Sequence, residues 1–378
     1  MSTTPVIPIA NHEETHRFTQ QVLLWYDDHR RDLPWRNISD PYRIWVSEII
    51  LQQTRVAQGY AYYQRLVEAF PTVEALAEAP EDKVLLMWQG LGYYSRARRL
   101  HEAARQIVQQ GGFPTTYEGI LALPGVGAYT AAAIASFAYH LPHAVLDGNV
   151  YRVLSRYFGV PTPIDTSTGK KAFTQLAQML LPEKRSADYN QGVMDFGALQ
   201  CVPQSPDCAS CPLADACAAY GSDAVGYFPV KSRATKVIER HFVYLYLPTP
   251  AGIWLQRRGA GDIWQGLYEM PLLEFDHVPS KKEVQAHPFM LQFGKNVSLT
   301  RVVKRKKHVL THRRLWADCY VVQSEHYPEP PEPYFCVPHS LLADYAMPRL
   351  VQLLLDKVLQ NESQRFQEDS SYLQSELP

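Results

Sequence analysis

Helical spacing of apolar residues fills the first 220 residues of the chain, and strand-like patterns begin near residue 237. Within the helical part, the stretch VSEIILQQT, residues 46–54, is an aliphatic run that a helix would bury, yet it contains Glu48. On a helix, Glu48 shares a face with Ile44, Trp45 and Leu51, and apolar surroundings of this kind raise the pKa of a carboxyl group. An exposed acid on an amphipathic helix would also explain the pattern.

The segment LALPGVGAYTAAAIASFAYH, residues 121–140, predicts two helices joined by a tight turn. The first helix ends at Leu-Pro, and the second begins at Ala128 after a Gly-Val-Gly turn. This is a helix-hairpin-helix pattern, in which Gly125 and Gly127 allow a partner to approach the backbone and the first amides of the new helix can bind a phosphate. A plain helical hairpin would have the same pattern.

A third helix is predicted in VLDGNVYRVLSRYFGV, residues 145–160, with Asp147 and Asn149 at its start. Asp commonly caps such a helix, which is the simplest reading of Asp147. Together with Glu48, however, it places two acids on either side of the presumed phosphate-binding hairpin. Cleavage of a glycosidic bond uses such a pair, with one carboxyl protonated as the acid and the other ionised to stabilise the sugar cation.

The pattern of the chain changes after Cys217. Residues 218–237 are rich in small and polar residues, and HFVYLYL and GIWLQRR then read as β-strands. We therefore predict a catalytic region over residues 8–220, a linker over 221–236, a second domain over 237–359 and a disordered polar tail over 360–378.

Composition and charge limit the possible functions. The chain has 378 residues and a formal net charge of -1, so any binding of nucleic acid must depend on local patches. One such patch is RVVKRKKHVLTHRRL, residues 301–315, with seven Lys or Arg, two His and no acid, although a solvated basic hairpin would also fit. No run of 18 apolar residues and no signal segment occurs, which predicts a cytosolic protein without a membrane segment.

Four of the six cysteines form a cluster with the spacing CxxxxxxCxxCxxxxxC: Cys201, Cys208, Cys211 and Cys217. Four thiols so close together in a cytosolic chain can hold zinc or a [4Fe-4S] cube, and the spacing does not choose between them. A site closed by four thiolates leaves no position for substrate, which favours a structural role. Cys319 and Cys336 stand alone and are expected to fill the core.

Six motifs in order carry a family resemblance: RDLPWR, VSEIILQQT, WQGLGYYSRARRLHEAA, LPGVGAYTA, LDGNVYRVL and the cysteine cluster. They resemble the MutY family of adenine DNA glycosylases, within the endonuclease III superfamily, over residues 15–217 and more weakly beyond. The resemblance implies a mainly α N-terminal region, made of a six-helix barrel with the helix-hairpin-helix and a helical domain holding a [4Fe-4S] cluster. It implies an α+β MutT-like (nudix-fold) C-terminal domain after it.

The resemblance also assigns catalytic roles. Glu48 matches the acid that protonates adenine, at N7, and Asp147 matches the carboxylate that stabilises the sugar cation, either through its charge or through a transient bond at C1′. Asn149 matches the hydrogen-bond partner of Asp147. Tyr129 stands where bifunctional relatives have a lysine that forms a Schiff base, so the chain is expected to be monofunctional. Tyr129 is expected to form a hydrogen bond to Asp147.

Adenine must leave the base stack to be reached, so contacts that fill the gap are expected. By resemblance, Gln53 intercalates with Leu51 and Gln52 beside it, and Tyr93 is a wedge next to the orphan base. The residues expected to line the adenine pocket are Arg31, Trp35, Arg36, Val56, Gln191 and Asp195.

The C-terminal domain lacks the REXXEE pattern of nudix pyrophosphatases, which favours recognition over nucleotide hydrolysis. Leu310, Thr311 and His312 align with the Phe-Ser-His loop that reads 8-oxoguanine in the family, with an aliphatic residue in place of the aromatic one. The expected partner is duplex DNA containing 8-oxoguanine:adenine or guanine:adenine pairs, bound by a cytoplasmic, nucleoid-associated monomer. A strand-cutting lyase and a non-catalytic iron-sulfur DNA-binding protein are the alternatives.

Overall fold

The computed structural model describes residues 12–232, 237–294 and 296–375. The chain divides into two compact units. Unit 1 comprises Met1–Glu78 and Arg99–Ala234, and unit 2 comprises Ala79–Arg98 and Thr235–Pro378.

Over the described residues the helices are α1 (His12–His29), α2 (Pro41–Leu51), α3 (Val56–Ala69), α4 (Val73–Glu78), α5 (Glu81–Trp88), α6 (Ser95–Gln109), α7 (Tyr117–Leu121), α8 (Ala128–Tyr139), α9 (Gly148–Tyr157), α10 (Ser167–Leu180), α11 (Ser186–Leu199), α12 (Ala218–Gly221), α13 (Lys281–Ala286) and α14 (Arg349–Ser375). The strands are β1 (Ile238–Tyr246), β2 (Ile253–Arg257), β3 (Tyr268–Glu269), β4 (Leu272–Phe275), β5 (Ser298–Val309), β6 (Arg313–Gln323) and β7 (Phe335–Val337). No helix of the described residues is long and apolar enough to span a bilayer.

Unit 1 is helical, and its helices begin where local chemistry predicts. The Asp40 side chain accepts hydrogen bonds from the first amides of α2, and Pro41 occupies the first helical position. The predicted hairpin is present as α7 and α8, with Gly127 as the N-cap of α8. Helix α8 is buried all round from Thr130 to Ala138, and its small side chains let α2, α7 and α11 pack against it.

Unit 2 contains two sheets. The first has the strand order β4-β1-β6-β5, in which β1 runs parallel to β6 and antiparallel to β4, and β5 and β6 form an antiparallel hairpin. The second is antiparallel, with the order β3-β2-β7. This mixed architecture agrees with the predicted α+β class.

Strand β1 is buried on both faces, which explains its unbroken apolar run. Phe242, Tyr244 and Tyr246 enter a core shared with Leu350 and Leu354 of α14. Val243, Leu245 and Leu247 enter a second core, shared with Val284 of α13 and with Met290 and Phe293. The two-residue period of a strand thus supplies both cores from one segment.

Residues 79–98 were predicted to belong to the N-terminal catalytic region, but they group with unit 2. Arg257 pairs with Glu81 at 2.9 Å, and the Tyr268 hydroxyl donates to Asp82 at 3.0 Å. The amide of Met347 donates to the side chain of Gln89 at 2.8 Å. These partners are more than 150 residues away in sequence, so a local pattern gives no sign of them.

The predicted linker, residues 221–236, is shorter in the structure. Over 222–232 the chain forms hydrogen bonds with unit 1. The amide of Ile164 donates to the Val230 carbonyl at 3.0 Å, and the amide of Ser232 donates to the Asp165 carboxylate at 2.9 Å. Residues 233–236 lie outside the described residues, as do residues 8–11 at the predicted start of the catalytic region.

The tail predicted to be disordered from residue 360 is helical through Ser375, since α14 continues to that residue. Its apolar residues Leu350, Leu354 and Val358 anchor the helix in the core of unit 2. The following segment, NESQRFQEDSSYLQS, contains no Gly or Pro and includes three Gln and two Glu, which have good helix propensity and can extend an anchored helix. The last three residues lie outside the described residues.

Candidate active site

Glu48 lies on the buried side of α2, with 5% of its surface exposed. Trp45 and Ile44 beside it are fully buried, as the helical pattern predicted. Burial raises the pKa of Glu48 to about 7, against the lowering effects of a hydrogen bond from Tyr129 and of the Arg36 charge. A carboxyl with this pKa holds its proton in a good fraction of molecules at neutral pH, so it can act as a general acid.

Tyr129, the second residue of α8, donates its hydroxyl hydrogen bond to Glu48 Oε2 at 2.7 Å. We expected this bond to go to Asp147, and that expectation is wrong. The reason is packing: α8 lies against α2, which carries Glu48, whereas other donors occupy the Asp147 oxygens. Burial raises the pKa of Tyr129 well above its ordinary value, so the phenol stays a donor.

Asp147 is the N-cap of α9 and has three donors. Its Oδ1 accepts from the amides of Asn149 at 2.9 Å and Val150 at 2.8 Å, and its Oδ2 accepts from Asn149 Nδ2 at 2.8 Å. Burial raises its pKa despite these bonds, which favour the anion. The structure therefore brings Asn149 and Asp147 together, and the Asp147 charge lies near enough to Glu48 to raise the pKa of that residue.

Arg152, which the sequence did not single out, supports this pair from the next turn of α9. Its Nη2 donates to Asn149 Oδ1 at 2.8 Å, and its Nε donates to the Cys201 carbonyl at 2.8 Å. A guanidinium only donates, so it fixes the Asn149 amide with the NH₂ group toward Asp147. An arginine in a mixed helical pattern gives no sequence signal for this role.

Four of the six predicted pocket residues form one polar network. Asp195 is fully buried and accepts from Arg31 Nε at 3.1 Å, from Arg31 Nη2 and from Arg36 Nη2 at 3.0 Å. Arg36 Nη1 also donates to Gln191 Oε1 at 2.8 Å. The network also includes Tyr26 of α1. The sequence analysis did not assign this residue, which stands at the end of the apolar run VLLWY.

The other two predicted pocket residues, Trp35 and Val56, both lie at α3. Trp35 is buried and packs edge-on against Tyr63 of α3, with ring centroids 4.9 Å apart, and Val56 is the first residue of that helix. Val56 has no polar group and Trp35 has only its indole N–H, so their contribution to the proposed pocket would be mainly its shape.

The predicted intercalating residues follow the end of α2. Leu51 is its last residue, and Gln52 donates its side-chain amide to the Thr130 hydroxyl at 3.1 Å. Gln53 is exposed and has a left-handed backbone, with φ of 57°. A non-glycine residue in this conformation is uncommon and often marks a functional turn.

In the hairpin, Gly125 and Gly127 have different roles. Gly125 has φ of 75°, and a Cβ there would lie 2.7 Å from Arg99 Cβ, so a side chain is excluded. Gly127 has open space around it and precedes Ala128, the exposed first residue of α8. The amides of the first turn of α8 can face a phosphate.

The four clustered cysteines are free thiols that line one cavity together with Arg156. Arg156 is buried, and its Nη1 lies 3.4 Å from Cys201 Sγ. Burial is the main cause that raises the pKa of Cys211 to about 11, and the nearby thiols of Cys201, Cys217 and Cys208 act in the same direction. Among the described residues no group of three or more His, Cys, Asp or Glu is arranged to hold a metal ion. The shared cavity and the all-thiol donor set nevertheless fit a sulfur-ligated cluster.

Known proteins match both parts of the chain. Residues 46–179 match the family model of the HhH-GPD superfamily of base excision DNA repair proteins, and residues 243–357 match that of the NUDIX domain. An adenine DNA glycosylase of Buchnera aphidicola subsp. Schizaphis graminum is 33% identical over 257 residues, which are 67% of this chain and 74% of the relative. Another, from Buchnera aphidicola subsp. Baizongia pistaciae, is 32% identical over 306 residues, 79% of this chain and 84% of the relative.

The chain belongs to the adenine DNA glycosylase family. The Homo sapiens adenine DNA glycosylase is 42% identical over 217 residues, 54% of this chain and 40% of that protein. The solved structure of a thermostable thymine-DNA glycosylase is 32% identical with a TM-score of 0.53, and it covers 56% of this chain and 99% of its own. These matches confirm the predicted family and fold class.

The segment that we predicted to read the lesion lies in unit 2. Leu310, Thr311 and His312 form the turn between β5 and β6 and line a cavity of about 740 Å³. Tyr93 lines the same cavity, and its hydroxyl lies 2.5 Å from Thr311 Oγ1. The structure thus joins the predicted wedge and the predicted reading loop.

Leu310 and Trp264 both line this cavity, and Trp264 gives it an aromatic wall. Leu310 is half-buried and packs against the core of unit 2, so it anchors the turn. Trp264, which the sequence analysis did not assign, lines the cavity and has a left-handed backbone with φ of 62°. Its indole ring offers an aromatic surface where the reading loop has an aliphatic residue.

The basic segment, residues 301–315, comprises most of β5, the following turn and the first residues of β6, and acids of β1 and β6 partly neutralise it. Arg314 pairs with Glu239 at 2.6 Å, and Arg301 lies 3.6 Å from Asp318. Arg305 and Lys307 stack over the Trp316 ring, at 5.1 and 5.8 Å from its centroid. The acid-free sequence pattern thus overstated the net positive charge of this surface.

Proposed function

We propose that the protein is a monofunctional DNA glycosylase that removes adenine paired with 8-oxoguanine or guanine. The observation that carries the proposal is Glu48, a buried carboxyl with a pKa of about 7 that receives a hydrogen bond from Tyr129 and lies near the Asp147 charge. Family membership supports adenine as the base. Two carboxyls in different environments suit acid-assisted cleavage of a glycosidic bond.

In this mechanism Glu48 donates its proton to N7 of a flipped adenine, and the C1′–N9 bond then breaks to leave neutral adenine. Asp147, fixed by Asn149 and by the first amides of α9, stabilises the positive charge that develops on the sugar. Water then adds at C1′, and its released proton passes to a carboxylate. The Arg31, Arg36, Gln191 and Asp195 network would hold the base during this step.

The side chain at position 129 is a phenol and not an amine, which supports monofunctional chemistry. A phenol cannot form an imine with the sugar, and the Tyr129 hydroxyl donates a hydrogen bond to Glu48. Strand cleavage should therefore require added alkali.

A single duplex assay tests the proposal. A duplex with one 8-oxoguanine:adenine pair, labelled on the adenine strand, should yield a cleaved strand only after hot alkali, and free adenine should appear. Cleavage without alkali would show a lyase instead. Tight binding without adenine release would show a non-catalytic DNA-binding protein.

For lesion recognition we propose the cavity lined by Tyr93, Trp264, Thr311 and His312. Oxidation at C8 gives guanine a carbonyl and a protonated N7, so a hydroxyl and an imidazole at that edge can form bonds that guanine does not offer. Strand β5 would contact phosphates through its unneutralised lysines. Such a protein would act as a monomer on DNA in the cytoplasm, associated with the nucleoid.

We propose that Cys201, Cys208, Cys211 and Cys217 hold a [4Fe-4S] cluster, with one thiolate for each iron. Their shared cavity and the Arg156 charge beside Cys201 support this, because a cation favours thiolates and offsets the negative charge of a sulfur-ligated cluster. When bound, such a group ties together a loop-rich segment. Iron and sulfide analysis of the purified protein tests the assignment, and a colourless protein containing zinc would overturn it.

A further inference from the structure

Tyr26 lies on α1, 4% exposed, at the junction of two predicted pocket residues. Its hydroxyl accepts a hydrogen bond from Arg36 Nη1 at 2.9 Å and donates one to Gln191 Oε1 at 2.7 Å. Arg36 Nη1 also donates to Gln191 Oε1, at 2.8 Å. The three side chains therefore form a closed triangle of hydrogen bonds.

This triangle determines which way the Gln191 amide faces. A guanidinium has donors only, so the Gln191 atom next to Arg36 must be its oxygen. The second donor, from Tyr26, occupies the other lone pair of that oxygen. The NH₂ group consequently points away from both residues, and no acceptor contacts it among the residues that the structure describes.

We propose that Tyr26 is a positioning residue that holds the Gln191 amide so that its NH₂ group donates to an acceptor nitrogen of the flipped adenine. The inference rests on the proposed function, which places Gln191 in the base pocket. It goes further by assigning the orientation of the amide and by naming Tyr26 as a second restraint, beside Arg36, that holds the amide in that orientation. Adenine has acceptor nitrogens on its ring, which an outward NH₂ group would recognise.

The test measures single-turnover adenine release and the binding of a duplex that contains an abasic site. Tyr26→Phe removes only the hydroxyl, so Gln191 loses one of two restraints and excision should fall about tenfold, the value of roughly one hydrogen bond. Binding of the abasic duplex should not change, since it has no base for Gln191 to contact. Equal losses in both measurements would overturn the proposal, because they would indicate a general structural role.

A double-mutant cycle with Gln191→Ala tests the route of the effect. If Tyr26 acts through Gln191, Tyr26→Phe should cause little further loss in the Gln191→Ala background. The same tenfold loss in both backgrounds would overturn the inference. Tyr42→Phe is the matched control, since it deletes another buried hydroxyl, bonded to the Phe70 carbonyl at 2.6 Å, and should leave excision unchanged.

If Tyr26→Phe proves too unstable to assay, Gln191→Glu tests the amide orientation on which the inference depends. The new carboxylate can still accept from Tyr26 and Arg36 but presents an oxygen to the base, so excision should fall and normal excision would overturn the inference. A wild-type protein that releases no adenine would instead overturn the proposed function. An active wild type with an unaffected Tyr26→Phe variant would overturn the inference alone.

Discussion

Glu48 combines full burial with an ionisable group, and the resulting pKa of about 7 predicts how activity depends on pH. The protonated form is the one that can donate, so single-turnover excision should fall as the pH rises through about 7. Rates measured from pH 5.5 to 9 check this. A rate that rises across that range would rule out Glu48 as the acid.

Glu48→Gln is the companion variant. It should still bind the lesion duplex but release no adenine, because an amide N–H is not acidic enough to transfer its proton to the base. The raised pKa of Glu48 means that ionisation destabilises the fold as the pH rises from 4.5, and the full effect of about 3 kcal/mol is present above about pH 7. Glu48→Gln should therefore melt at a higher temperature than wild type at pH 8, with little gain near pH 4.5.

Tyr129→Phe tests the hydrogen bond that the structure assigned to Glu48. That bond lowers the pKa of Glu48, so its loss should raise this pKa and move the midpoint of the pH profile upward. The rate below the midpoint should also fall, by about tenfold or less, since the acid loses one restraint. An unchanged midpoint would show that the phenol does not bond to Glu48 in solution.

At the level of the helix, α9 uses one residue for two purposes. Asp147 caps the helix and is the candidate catalytic carboxylate, and Asp147→Asn separates these roles because Asn is an equally good cap. The variant should keep its stability within about 1 kcal/mol and lose excision by roughly a hundredfold or more.

Thr166, the N-cap of α10, provides the matched control, since its side chain accepts from the Gly169 amide. Thr166→Ala should cost about 1 kcal/mol of stability and leave excision unchanged. If Asp147→Asn excises adenine at a comparable rate to wild type, Asp147 is only a cap.

The segment between α11 and α12 contains little regular structure to stabilise it, so we expect its stability to depend on the proposed metal group. Cys211→Ser should lose the brown absorbance of an iron-sulfur cluster and much of the soluble yield. Cys336→Ser, which changes a thiol outside this segment, should retain both. Normal iron content in Cys211→Ser would remove Cys211 from the set of ligands.

At the scale of the whole molecule, the proposed recognition of the lesion and the proposed cleavage of the glycosidic bond belong to different units. Thr311 and His312 belong to unit 2, whereas Glu48 and Asp147 belong to unit 1. Replacing both Thr311 and His312 by alanine should lower excision opposite 8-oxoguanine by about tenfold or more and change excision opposite guanine much less.

The control is Lys304→Ala with Lys306→Ala, on the exposed part of β5. Phosphate contacts do not depend on the base opposite adenine, so this variant should weaken the binding of both substrates equally and reduce the salt dependence of binding. Equal losses in the Thr311 and His312 variant would likewise mean that its turn only holds phosphate.

The sequence alone determined the features that follow from local chemistry. The start of α8 after Gly127, the cap at Asp147 and the strand β1 depend on neighbouring residues and on helical or strand periodicity. The motif order also identified the family, and the cysteine spacing pointed to a shared site. None of these needs information about distant parts of the chain.

Tertiary structure decided the contacts between distant residues. The partner of Tyr129 and the pKa of Glu48 depend on α8 packing against α2, and the role of Tyr26 depends on α1 meeting α11. Residues 79–98 joined unit 2 through bonds to residues more than 150 positions away. A local pattern fixes which face of an element is apolar, but only packing fixes which polar groups meet across it.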